Sequence, residues 1–233
     1  MISAPSPSRV ASGASNHSAV WLLIALGFLM VSMPLVNALS DGDLIESVLL
    51  TIVMFFSVRA VGSRRRTHLI AMVLLVPPML AKWINHFRPD LISPLFYIVG
   101  AILFFGFVVA HLLRFIVQSP QVDGNVLSAG VSGYLLLGWL WIPVYLLVAR
   151  LDHSAFNMPP GSVMNGFSAF YFSFITLCTV GYGDISPVSS VARMLAVVEA
   201  ITGLFYMAVL VSRLVSMHSS NHSILNDKDS NAP

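Results

Sequence analysis

Stretches of about twenty residues with scarcely a charge recur along this chain, and that pattern leaves few folds open. A helix rising ~1.5 Å per residue needs about twenty residues to cross a hydrocarbon layer of ~30 Å. Residues 19–39, 44–61, 68–87, 91–117, 126–148 and 188–217 each supply or approach that length. In such a medium backbone N–H and C=O groups find partners within the segment, so the spans read as helices. Only 9% of the residues are charged and 57% are hydrophobic, where an ordinary soluble domain is about 25% charged. The expectation is an all-α membrane protein with six transmembrane helices. A net charge of +2 gives no reason to expect a nucleic-acid partner. The single cysteine, Cys178, leaves neither an internal disulfide nor a cysteine metal cluster.

Residues 1–18 are rich in Ser, Ala and Pro and carry one charge, Arg9, so they read as a disordered tail. A cleaved signal peptide is disfavoured, because the apolar run at 19–39 exceeds the usual length of about 7 to 15 residues and follows almost no charge. Arg59 and the cluster Arg64, Arg65 and Arg66 follow the second span. With Arg9, Arg114, Arg213 and Lys228 they put both termini in the cytoplasm by the positive-inside rule. The third span holds Pro77-Pro78, expected to kink it. Lys82, His86 and Arg88 near its far end are expected to snorkel outward or to pair with an acid such as Glu46. The fourth span has only His111 and Arg114, whereas a voltage-sensing helix needs arginines at regular spacing. Residues 19–117 therefore read as a four-helix unit without a charged sensor. Pro120 and Gly124, between Gln118 and Asn125, mark a boundary, and 126–217 forms the second unit. Its fifth span carries Trp139, Trp141 and Tyr145, expected at the headgroup level. Pro159-Pro160-Gly161 lies in the outer loop of 151–162.

Within the second unit, Thr179-Val180-Gly181-Tyr182-Gly183-Asp184 follows an aromatic, helix-length stretch, Phe167 to Leu177, and precedes the last span. Successive carbonyls point the same way only if the backbone alternates in handedness. Gly181 and Gly183 take φ > 0 without a Cβ penalty. Thr179, Val180, Gly181 and Tyr182 can then aim oxygens at one axis, where they replace the water of a cation. Val180 and Tyr182 point away from it, and Asp184 caps the outer mouth. A helix over 165–177, capped by Asn165, would aim its negative end at the middle of the membrane.

That hexapeptide is the selectivity-filter signature of potassium channels, and residues 126–217 resemble the pore of bacterial members of the family. The resemblance implies a re-entrant pore helix, a selectivity filter and a tetrameric pore, with K⁺ as the permeant ion and no cofactor. It also implies a homotetramer amid membrane lipid in a bacterial inner membrane, passive and not an enzyme. Tyr171 and Phe172 fall where such channels carry an aromatic cuff around the filter tyrosine. Glu199-Ala200-Ile201-Thr202-Gly203 matches a Glu-Ala-x-x-Gly run of their inner helix. Gly203 is then a hinge or a close-packing site. Glu199 either faces the cavity or lies behind the filter near Ser173 or Thr176, the second being favoured. Cys178 reads as packing below the filter. Residues 218–233 read as a short cytoplasmic tail without a ligand-binding module. The rival readings are a non-conducting or modulatory subunit, a cation channel of relaxed selectivity, and a subunit of a potassium transporter. The gating stimulus stays open.

Overall fold

The computed structural model describes residues 18–39, 42–61, 65–88, 91–119 and 124–230, with side chains described as far as Val215. The expected tail at 1–18 and the loop arginine Arg64 thus lie almost wholly outside the described residues. The chain is helical nearly throughout: α1 Ser18–Asn37, α2 Gly42–Ala60, α3 Arg65–Phe87, α4 Pro94–Gln118, α5 Gly124–Leu151, α6 Gly166–Leu177 and α7 Ser190–Ser230. Two-residue strands β1, Phe156–Asn157, and β2, Ser186–Pro187, pair antiparallel, Phe156 opposite Pro187. It is an all-α membrane protein.

Five described helices, α1, α3, α4, α5 and α7, are long and apolar enough to cross a membrane. The remaining long helix, α2, has 19 residues, a comparable length, but carries Asp43, Glu46 and Arg59. Two of those charges sit at its ends. The third is paired within the protein, as described below.

Helix ends follow local chemistry. Pro94 opens α4, where a missing N–H costs nothing, and the Ser93 side chain accepts from Leu95 N. α3 runs unbroken through Pro77 and Pro78. α7 continues past the expected end at Met217 as far as Ser230.

α5 is the central post, in contact with α1, α4, α6 and α7, while α1 also packs on α2 and α3 on α4. Each partner presents one stripe. On α1, Leu22, Leu26, Leu29 and Met33 are buried at helical spacing, and on α4 Phe104, Val108, Leu112 and Ile116 repeat every fourth residue. Lipid tails are as apolar as leucine, so what holds these stripes is close packing rather than escape from water.

The three aromatics expected at the headgroups are instead inside the protein: Trp139 is 3% exposed, Trp141 8% and Tyr145 0%. The reason is depth and neighbours. Tyr145 lies six residues before the end of α5 and Trp139 twelve, so they face α6, Trp139 against Phe170 and Tyr145 against Phe172. Their amphipathic rings were read from composition alone, which does not say which side of the helix has a protein neighbour.

Candidate functional site

Thr179 to Asp184 forms an exposed, irregular segment between the C-terminal end of α6 and β2. Its backbone alternates. Thr179, Gly181 and Gly183 have φ of 59°, 55° and 82°, while Val180 and Tyr182 stay at negative φ. The glycines were legible for that role, but Thr179 was not. A β-branched residue in the left-handed region is a rare conformation, strained by about 1–3 kcal/mol. The signal that could have found it is the period of two set by Gly181 and Gly183, carried back one step.

The amides of this segment are spent on α6. Cys178 N donates to Phe174 O at 3.0 Å, Thr179 N to Thr176 O at 2.9 Å, and Val180 and Gly181 N to Ile175 O at 2.8 and 3.2 Å. They satisfy the carbonyls that the last turn of a helix leaves without partners. Among the described hydrogen bonds none is accepted by a carbonyl of residues 179 to 183. The segment therefore has a free row of oxygens and a backbone of alternating hand. Val180 and Tyr182 are 51% and 73% exposed in the single chain.

α6 starts at Asn165, whose side chain accepts from Ser168 N at 2.8 Å. Near its middle the neighbouring aromatics part company. Tyr171 faces the Asp184 carboxylate at the end of the hexapeptide. Phe172 turns the other way and is buried edge-on against Tyr145 and Phe156, with ring centroids 4.8 and 5.5 Å away. Of the two cuff candidates, only Tyr171 is brought to the hexapeptide. The short β pair closes the far side: Val188 N donates to Ala155 O at 2.8 Å, tying the exit of the segment to the outer loop. No periodicity announces two-residue strands, and the sequence reading missed them.

Glu199 lies behind the hexapeptide, not in an open cavity, and is fully buried. Ser173 Oγ lies 2.6 Å from Glu199 Oε1 and 2.9 Å from Gly138 O, sharing one proton between two acceptors. The Tyr145 hydroxyl donates to Glu199 Oε2. One carboxyl thus joins α7 to α6 and α5. Ser173 was among the anticipated neighbours and Tyr145 was not, because it had been assigned to the membrane surface.

Gly203, one turn further along α7, meets the end of α6. A Cβ there would lie 2.7 Å from Leu177 O and 2.8 Å from Leu177 Cδ1. That distance gives glycine a packing role, since a backbone oxygen cannot step aside like a side-chain tip. Gly203→Ala should therefore lower the thermal stability of the detergent-solubilised protein by about 1–3 kcal/mol. A pure hinge would instead leave melting unchanged and alter only opening. Cys178 is exposed, with the Tyr134 hydroxyl 3.6 Å from its sulfur.

Residues 131–220 match the protein family described as "Ion channel". Relatives include two-pore potassium channel 4 of Arabidopsis thaliana, 39% identical over 103 residues, which are 42% of this chain and 36% of that one. Protein LctB of Geobacillus stearothermophilus is 38% identical over 88 residues, 36% of this chain and 63% of the relative. The calcium-gated potassium channel TvoK of Thermoplasma volcanium is 33% identical over 58 residues, 25% of this chain and 17% of that one. The matches thus span between about a sixth and just under two thirds of these relatives. No solved structure matches the chain.

Proposed function

We propose, from the likeness of residues 131–220 to an ion-channel family and of the chain to named potassium channels, that four copies of this chain form a K⁺-selective channel that conducts passively. The observation that carries the reading is the alternating hand of residues 179 to 183, with their carbonyls free of protein partners. Four such rows facing one axis form stacked rings of oxygen that replace the ion's water. The Thr179 hydroxyls add a ring at the inner end. Val180 and Tyr182, exposed in the single chain, pack in the tetramer against neighbouring subunits and set the width of the pore. Tyr171 and Asp184 guard the outer mouth, with Gly183 giving the turn its hand. Glu199, Phe172 and Gly203 hold the inner helix and pore helix together behind the filter, and Cys178 sits at its base.

Each ion leaves water for carbonyl oxygens, and mutual repulsion between ions in file drives the exit. The C-terminal end of α6 adds negative potential inside the membrane. α2 completes six spans in a bacterial inner membrane, with both termini in the cytoplasm. Residues 19–117 form the peripheral unit and 126–217 the pore.

The test is the reversal potential of purified protein in a planar bilayer under a K⁺/Na⁺ bi-ionic gradient, across a wide voltage range. A strongly K⁺-selective reversal is the expected result. Near-equal permeability would replace this reading with a channel of relaxed selectivity, and silence at every voltage with a non-conducting subunit.

A further inference from the structure

The N-terminal helices touch the pore unit at a charged point. Lys82 of α3 bonds Glu46 of α2, Nζ to Oε1 at 2.8 Å, with the two side chains 29% and 22% exposed. The next residue on α3, Trp83, donates its indole N–H to Thr51 of α2 at 3.2 Å, so consecutive residues pin α2 from one side. Both charges border a cavity of about 90 Å³ lined by Met33, Met54, Phe105 and Trp139. The pair is partly shielded from water, so salt screens it less than a fully exposed one.

The other carboxylate oxygen is aimed elsewhere. Glu46 Oε2 lies 3.3 Å from where a Cβ on Gly166 would stand, and Gly166 is the first residue of α6. The separation is tighter than ordinary van der Waals contact, so an added Cβ there would make the carboxylate give by a few tenths of an ångström. Among the described hydrogen bonds the amides of Gly166 and Phe167 donate to none. The positive end of α6, short of acceptors in its first turn, thus has an anion set over it by another part of the chain.

We propose that Glu46 is a positioning residue for the filter. Its carboxylate, oriented by Lys82, seats the N-terminal end of the pore helix, and the peripheral helices thereby brace the filter at the helix's other end. α6 has only 12 residues, and the amides of residues 178 to 181 hang from its last turn. A tilt at Gly166 is therefore transmitted to the carbonyl rings. This inference rests on the channel reading, and it gives the four-helix unit a task that needs no charged sensor.

The experiment compares wild type, Glu46→Gln, Glu46→Asp and the swap Glu46→Lys with Lys82→Glu, each by K⁺/Na⁺ reversal and by hydrogen exchange of the α6 amides. Glu46→Gln should speed exchange in the first turn of α6 about two- to fivefold, the range of a carboxylate at a helix N-terminus, and lower the permeability ratio. Glu46→Asp should recover most of both. The swap keeps an ion pair but sets a cation over the helix's positive end, so it should restore protein yield without restoring selectivity. A swap with wild-type selectivity, or a Glu46→Gln variant matching wild type in both readouts, would overturn the proposal. The wild-type reversal alone judges the channel reading. If that fails, the exchange comparison still decides whether Glu46 seats α6.

Discussion

Gly181→Ala is expected to abolish K⁺ flux while leaving the protein able to insert and assemble. The residue sits at φ 55°, and within its own chain no atom beyond its sequence neighbours lies within 4 Å of an added Cβ, so the cost inside the chain is one of backbone handedness and not of crowding. An L-residue in that region costs about 1–2 kcal/mol, or ~4–8 kcal/mol across four subunits closing one ring. At ~1.4 kcal/mol per factor of ten, the conducting arrangement becomes rarer by about three orders of magnitude or more. The chain escapes by returning residue 181 to negative φ, which turns a carbonyl off the axis and removes one ring of oxygens. Gly161→Ala is the matched control. It too stands at positive φ, 78°, with open space around it, but in the outer loop, so it carries the same local cost and should keep its flux. Flux in proteoliposomes, measured beside tetramer migration and membrane content, reads both variants. Undiminished flux in Gly181→Ala would sink the assignment of the filter.

The contrast between what was and was not readable from the chain has a physical basis. Apolar length is a one-dimensional property, so the long spans could be placed within a few residues. α1, α4 and α5 end near where the charge and turn residues put them. The hexapeptide was readable because its chemistry is local: two glycines two apart dictate their own dihedrals. Thr179 was missed because its left-handed φ of 59° is imposed by neighbours against its own preference. Tyr145 and Trp139 were misplaced for a related reason. An aromatic ring near a helix end suits a headgroup layer or a protein interior equally, and only the three-dimensional path of α6 decides between them. Glu199 could be narrowed to two positions, since a lone acid in an apolar span needs a partner. Choosing its partners needed the geometry of three helices at once. The Glu46 contact with Gly166 joins segments 120 residues apart, and no spacing rule reaches across that distance.

Removing the Glu199 carboxyl should cost more stability than any other single change behind the filter. Glu199→Ala leaves the buried Tyr145 hydroxyl without its acceptor and Ser173 with Gly138 O alone. The orphaned tyrosine hydroxyl costs about 1–3 kcal/mol per subunit, and the cavity left by the side chain adds to it. Glu199→Gln keeps one oxygen acceptor and should lose less. Partner deletions separate bonding from bulk. Tyr145→Phe alone destabilises, but adding it to a Glu199→Leu background should cost little, because a tyrosine hydroxyl with no partner is already a liability there. Thermal melting of the solubilised assembly measures each corner of the cycle. If Glu199 served instead to draw cations into the pore, Glu199→Gln would cut conductance and leave melting untouched, with no coupling to Tyr145. The burial of all three groups argues for coupling.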